Sequence, residues 1–300
     1  MNKIRAWIEA ARLKTLPLAL SSPLLGSFFA YAHGSFHGMV LILAIFTTLF
    51  LQILSNLAND YGDFKSGADN LERIGPRRLV QSGMITPSEM KKGIILTVFL
   101  ALLSGLLLIY FGLRGHDMKT IFVFIGTGVA AIIAAITYTV GKNPYGYRGL
   151  GDISVFLFFG LIGVLGTYFM HTGLLKPWLI LPAASIGLLS AGVLNLNNLR
   201  DYESDKKAQK NTMVVWMGSQ KAKYYHLALV AGSVVAGTLY VIFNYQSAYQ
   251  FLFILTLPLL IQNIIAVFRH TQPMQLYPEL KRLALSTLAY ALFFGLGEVM

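Results

Sequence analysis

A chain of 300 residues that is 55% hydrophobic and only 12% charged carries about half the charge of a typical soluble domain, too little to cover a water-exposed surface. It contains no cysteine, which excludes disulfides, thiolate catalysis and Cys-ligated zinc or iron–sulfur sites. The formal net charge of +11 does not point to nucleic acid, because the basic residues fall in short loops between apolar runs and not on one polar face.

In chain order, residues 1–14 read as an interfacial amphipathic stretch, with Trp7 and Ile8 among Lys3, Arg5, Arg12 and Lys14, and no cleavable signal peptide is evident. Nine apolar runs follow, at 15–33, 38–59, 93–113, 120–140, 153–173, 178–198, 224–243, 248–268 and 283–299, each near the ~20 residues that cross a hydrocarbon core. The runs are continuous and do not alternate with period two, so they predict helices and not a barrel. The last, which holds Glu298, is the shortest.

Placing the N-terminus inside puts 21 of the 24 Lys and Arg on the inner side, leaving only Arg114, Lys119 and Lys176 outside. The expectation is an all-α polytopic membrane bundle of about nine helices with a cytoplasmic N-terminus, forming one domain over 1–300. Outer connections are minimal. Two inner loops, about 60–92 and 199–223, are long, and function concentrates in long loops carried by a rigid scaffold. Similar polar clusters end the second and sixth runs, which suggests a pseudo-repeat of four plus four helices plus one.

Those clusters carry the chemistry. The first is Asn56-Leu-Ala-Asn59-Asp60-Tyr-Gly-Asp63, with Asp69 beyond it; the second is Asn197-Asn198-Leu-Arg200-Asp201-Tyr-Glu-Ser-Asp205. On a helix, Asn56, Asp60 and Asp63 share one stripe, and Asn197, Asp201 and Asp205 share another. Any single Asp or Asn near a helix end also serves as a cap. Two matching clusters on one membrane side, holding four of the chain's seven Asp, are harder to ascribe to capping. Oxygen-only donors suit a hard cation such as Mg²⁺, and two facing stripes would hold two ions around a diphosphate. Four carboxylates and a diphosphate outweigh two Mg²⁺ by about three charges, so cations are required. Arg73, Arg77, Arg78, Lys142, Arg148, Arg200 and Lys210 supply them, arginine being suited to bidentate phosphate contacts. The Gly- and Tyr-rich stretch 138–152 would add the Tyr138 hydroxyl and the Asp152 carboxylate, although interfacial tyrosines and turn glycines have the same composition.

These residues resemble the paired Asp-rich motifs of the UbiA-type intramembrane aromatic prenyltransferases. Longer matches, at Ser55–Asp63, Arg73-Ile-Gly-Pro76, Gln81-Ser-Gly83, Ala135–Gly141, Gly149-Leu-Gly-Asp152 and Asn197–Asp201, resemble the branch that prenylates 1,4-dihydroxy-2-naphthoate in menaquinone biosynthesis. The resemblance runs over nearly the whole chain. It implies a nine-helix bundle in the inner (plasma) membrane of a bacterium, with a central cavity capped by the two cytoplasmic loops. It also implies Mg²⁺-dependent transfer of a long polyprenyl group from its diphosphate, with loss of CO₂, to give demethylmenaquinol. Asn56, Asp60, Asp63, Asp201 and Asp205 would be the metal–diphosphate residues, assisted by Asn197, while Asp152 or Tyr138 would orient the acceptor. Two departures stand out. The superfamily usually spaces its first pair Asp-x₃-Asp, which leaves Asp63 and Asp69 as candidates for the second position. Gln209 stands where the family often has glycine. Prenylation of another aromatic acceptor, of 4-hydroxybenzoate or homogentisate type, is the alternative reading. A secondary transporter fits less well, since its polar site belongs at the midplane on broken helices. A lipid-headgroup transferase using Asp-bound metal is a further rival.

Overall fold

The computed structural model describes residues 2–67 and 79–300. Asp69, Arg73, Arg77 and Arg78 therefore lie outside the described residues. Among the described residues there is no strand, and nine helical segments are long and apolar enough to cross a membrane. A short helix α1 (Lys3–Ala10) precedes α2 (Leu16–Ala32), α3 (Gly38–Ser66), α4 (Pro87–Gly112) and α5 (Met118–Thr137). Next come α6 (Gly151–Thr172) and α7 (Pro177–Arg200), two short helices, α8 (Tyr202–Lys207) and α9 (Met213–Met217), and then α10 (Ser219–Phe243), α11 (Ala248–Arg269) and α12 (Pro273–Val299).

Three boundaries differ most from those expected. Helix α3 runs on to Ser66, where Gly67 at φ 72° ends it, and α4 begins at Pro87. The first of the two long connections is thus shorter than 60–92. The start of α4 is fixed by a capping box: Thr86 Oγ1 accepts the Glu89 N–H at 3.2 Å, and Glu89 Oε2 accepts the Thr86 N–H at 3.0 Å. Helix α12 begins ten residues before the expected 283, so the ninth span is 27 residues long and not the shortest. Its first turns are polar, which hides them from a hydropathy window.

Helix α7 is the hub. It packs against α6, α10 and α12, and 72% of its most apolar window is buried, against none for α5 at the rim. Close approach needs small residues: a Cβ on Gly160 would stand 2.6 Å from the Cα of Gly187 and 2.7 Å from the Ala183 carbonyl oxygen. The Phe156–Gly166 part of α6 is wound as a π-helix, a winding frequent at functional sites. Toward the end away from the two acidic segments, Phe29, Tyr240, Phe253, Tyr290 and Phe294 lock α2, α10, α11 and α12 together, with the Phe253 and Phe294 rings 4.7 Å apart. Ile95, Leu96 and Phe99 on α4, and Phe122, Val123 and Ile133 on α5, face outward, as lipid-facing helices require.

Helix α1 packs against α3 and α4 of this bundle. Ala6 and Ala10 are buried, Trp7 packs on Gly93 of α4, and Lys3 pairs with Glu89, while Ile4 and Ile8 are exposed. An amphipathic helix of this kind belongs at a membrane surface.

Candidate active site

Alternating spans bring the N-terminal end of α2, the C-terminal ends of α3 and α7 and the N-terminal end of α12 to one end of the bundle. There they close around a cavity of about 1060 Å³. Its polar mouth is lined by Arg12, Asn56, Asn59, Asp60, Asp63, Asn197, Arg200 and Lys210, and it runs down between apolar walls to Leu108, Phe124 and Met170.

The first acidic segment is helical throughout, so its stripe forms as expected. Asp60 and Asp63 are both buried. The Arg12 guanidinium donates to Asp60 Oδ1 at 2.5 Å. Arg12 sits between α1 and α2 in a left-handed backbone conformation, φ 50° and ψ 60°, which turns the chain back toward α3. Asn56 fastens the same junction, donating to the Ala11 carbonyl at 3.0 Å and to Thr15 Oγ1 at 3.2 Å. Asn59 Oδ1 accepts from Thr139 Oγ1 at 3.1 Å.

The second segment is not one straight helix. Helix α7 ends at Arg200 and α8 begins at Tyr202, yet the Asp201 N–H bonds the Asn197 carbonyl at 3.1 Å and the Asp205 N–H bonds the Asp201 carbonyl at 2.8 Å. The i to i−4 ladder thus crosses the bend and keeps the stripe together. Arg200 forks onto Asp201, with Nε to Oδ1 at 2.7 Å and a terminal nitrogen to Oδ2 at 2.6 Å, and also donates to Asn197 Oδ1 at 2.9 Å. Such bidentate, buried pairing fixes both partners.

Lys210 joins the two segments. Its ammonium lies 3.9 Å from Asp63 Oδ1 and 3.8 Å from Asp205 Oδ1, so carboxylates from either half of the chain converge on one cation. Burial alone would lower the Lys210 pKa, but the Asp63 and Asp205 carboxylates outweigh it and hold the group above the ordinary lysine value. It is charged at any physiological pH.

Tyr147, in the 3₁₀ turn Tyr145–Arg148, donates to Asp63 Oδ1 at 2.7 Å. Burial, reinforced by the Asp63 carboxylate, raises its pKa, so the hydroxyl keeps its proton. Tyr138 lines the cavity, and burial followed by the Asp152 carboxylate holds its pKa well above the ordinary value. Asp152 is buried behind it and accepts from the Tyr225 hydroxyl at 3.2 Å.

Not every expected residue reaches the cavity. Lys142 and Arg148 are exposed on the 138–150 segment and do not line it, and Asp152, Asn198, Asp201 and Asp205 are buried without lining it, the two last reaching its mouth only through Arg200 and Lys210. Conversely, Arg12 lines the cavity, and Tyr147 and Tyr225 bond the Asp63 and Asp152 carboxylates, although the sequence pattern does not single these three out for the site. Arg12 reads only as one of the inner basic residues, and its signal is local: a basic residue just ahead of Thr15-Leu-Pro17, where α2 starts. Tyr147 is hidden inside the Gly/Tyr-rich stretch.

Four buried carboxylates with the Asn56 amide nearby are the donor chemistry that a hard divalent cation takes. In the arrangement seen, Arg12, Arg200 and Lys210 meet that negative charge, and among the described residues no three His, Asp or Glu side chains are gathered as a ready-made metal cluster. The donor types fit Mg²⁺, and the positive groups beside them fit an anionic ligand.

Comparison with known proteins agrees with this geometry. The sequence pattern of the UbiA prenyltransferase family matches residues 20–285. The chain is 46% identical over 298 residues to a 1,4-dihydroxy-2-naphthoate octaprenyltransferase of Haemophilus influenzae, covering 99% of this chain and 96% of that protein. The protein of the same description from Escherichia coli is also 46% identical, over 297 residues, with the same coverage. Among solved structures, a UbiA homologue from Aeropyrum pernix in its apo form superposes with a TM-score of 0.67 at 18% identity, covering 99% of this chain and 98% of that one. A UbiA homologue from Archaeoglobus fulgidus bound to GPP and Mg²⁺ gives 0.59 at 19% identity, covering 96% and 99%. At these identities the structures share the fold.

Proposed function

Because the chain belongs to the UbiA prenyltransferase family, we propose that it transfers a polyprenyl group from polyprenyl diphosphate to 1,4-dihydroxy-2-naphthoate, releasing diphosphate and CO₂ and giving demethylmenaquinol. The observation that carries this reading is the meeting of two acidic segments on Lys210 at the polar mouth of a long apolar cavity. A diphosphate belongs at such a mouth, and a polyprenyl chain belongs in such a cavity.

Asp60, Asp63, Asp201 and Asp205, with Asn56, would hold Mg²⁺, as two ions shared with the diphosphate. When bound, magnesium supplies positive charge that stabilises the departing diphosphate. Arg12, Arg200 and Lys210 add fixed positive charge at the same place, and Arg73, Arg77 and Arg78, which lie outside the described residues, would supply the remaining charge the balance requires. The allylic C–O bond breaks with its electron pair leaving on the diphosphate. The ring carbon that carries the carboxylate attacks the resulting allylic cation, a C–C bond forms, and CO₂ departs, leaving its bonding pair to restore the aromatic ring. Apolar walls limit early quenching by water. Tyr138 presents a protonated hydroxyl to the acceptor, and Asp152, held by Tyr225, supports it from behind. The basic end of the bundle faces the cytoplasm of a bacterial inner membrane, with the connections between the second and third and the sixth and seventh spans forming the cap over one domain.

Membranes containing the protein, incubated with a polyprenyl diphosphate, Mg²⁺ and an acceptor panel, test the proposal. Prenylated naphthoquinol with equimolar diphosphate and CO₂ is the expected product. Preference for 4-hydroxybenzoate, or no covalent product, would overturn it. Asp60→Ala or Asp201→Ala should lower turnover by on the order of 10²-fold, and unchanged turnover at saturating Mg²⁺ would remove that residue from the mechanism.

A further inference from the structure

The geometry points to Tyr147 as a positioning residue that fixes Asp63 and Lys210 relative to one another and thereby sets the affinity of the first acidic segment for a divalent cation. Its hydroxyl donates to Asp63 Oδ1 at 2.7 Å, and Ser66 Oγ lies 3.0 Å from the same hydroxyl. The Lys210 ammonium stands 5.1 Å from the centre of its ring, within cation–π range. Its carbonyl accepts the Asn211 N–H at 3.0 Å, next in sequence to Lys210. One residue thus touches the carboxylate of the first segment, the cation between the segments and the backbone next to that cation.

The turn that carries Tyr147 is itself held firmly. The Gly146 N–H bonds the Tyr138 carbonyl at 3.1 Å, and a Cβ on Gly146 would stand 2.6 Å from that carbonyl oxygen. The Tyr147 N–H bonds the Pro144 carbonyl at 3.1 Å. A phenol aimed from so fixed a base favours the orientation of the Asp63 carboxylate that keeps this bond. Hydrogen-bond partners that orient a metal-binding carboxylate typically change metal affinity or activity by ~10–100-fold when removed.

The inference rests on the reading that Asp63 holds the metal, so its test includes Asp63. Tyr147→Phe keeps the ring beneath Lys210 and the backbone link but loses the donor to Asp63. It should raise the Mg²⁺ concentration for half-maximal turnover by about ten-fold while kcat at saturating Mg²⁺ changes less than about three-fold. Mn²⁺ titration of the purified protein in detergent, followed by electron paramagnetic resonance without substrate, should show the same weakening. Asp63→Asn should weaken Mn²⁺ binding at least as much. If Asp63→Asn weakens it and Tyr147→Phe does not, the inference about Tyr147 fails alone. If Asp63→Asn leaves Mn²⁺ binding unchanged, the metal reading of Asp63 fails and takes the inference with it. A Tyr147→Phe protein that melts earlier but binds Mn²⁺ normally would show a merely structural hydroxyl and overturn the proposal.

Discussion

The Arg12 guanidinium lies 2.5 Å from the Asp60 carboxylate, 48 residues further along the chain. The contact depends on a backbone that turns back at Arg12, where φ is 50° and the carbonyl accepts the Thr15 N–H at 2.8 Å. It ties the surface helix α1 to the acidic stripe of α3. Removing it takes one cation from a crowded group of carboxylates and loosens the junction that frames the cavity mouth.

Arg12→Ala should therefore raise KM for the polyprenyl diphosphate by at least ~10-fold, since hydrogen bonds to charged groups contribute about 1.5–3 kcal/mol. Arg12→Lys should recover only part of the loss, because the shorter reach and point charge of an ammonium do not reproduce the planar guanidinium donor on Asp60. Steady-state kinetics in membranes decide this. Equal KM in both variants and the parent would mean that Arg12 only anchors the N-terminus.

Gln209 shares this backbone conformation, at φ 54°, and stands directly before Lys210. A side chain there costs roughly 1–2 kcal/mol relative to glycine, partly offset by the greater freedom of glycine in the unfolded chain. Gln209→Gly should raise the melting temperature in detergent by about 2 °C with little change in turnover. Gln209→Val should do the reverse and lower turnover as well, because a β-branched residue resists positive φ and displaces the neighbouring lysine. A Val variant as stable and active as the parent would show that the turn relaxes freely.

Spans and stripes are legible in the sequence because they depend on local features. Hydropathy over some 20 residues marks a membrane helix, and repeats of three and four residues mark one helical face, so Asp60, Asp63, Asp201 and Asp205 group together on spacing alone. The residues that bind these stripes together are less legible, since the contacts of Arg12, Tyr147 and Lys210 are set by how turns fold back. Lys142 shows the converse. It is basic and near the site in sequence, but its segment projects it outward. The start of α4 is readable from Thr86-Pro-Ser-Glu89, whose capping chemistry is local, and hydropathy alone passes over it.

Gly62 tests how tightly α3 must sit against the segment after α5. A Cβ there would stand 2.6 Å from both the carbonyl oxygen and the Oγ1 of Thr139, and the backbone atom cannot rotate away. Alanine normally favours a helix over glycine by about 1 kcal/mol, but overpacking costs about 1–3 kcal/mol. Gly62→Ala should lower the melting temperature and also turnover, because it pushes the segment carrying Tyr147 away from Asp63. Gly126→Ala on α5, where no heavy atom lies within 4 Å, is the matched control and should be neutral or slightly stabilising. Equal melting temperatures for the two variants would refute the close packing.

The length of prenyl chain accepted should be set by the deep part of the cavity, and Gly128 is placed to test this. It lines the cavity wall on α5, and no heavy atom lies within 4 Å of the position its Cβ would take. A side chain there starts into open space and takes up room that an isoprenoid would fill. Carbon–carbon overlap is far costlier than the modest gain from burying one more isoprene unit, so long donors would be excluded before short ones. Gly128→Phe should leave turnover with geranyl diphosphate within about two-fold of the parent and lower kcat/KM for an octaprenyl donor by ~10-fold or more. Competition between the two donors, with products separated by mass, reads the ratio directly. An unchanged ratio would mean that the tail does not pass Gly128 and leaves the bundle nearer its polar mouth.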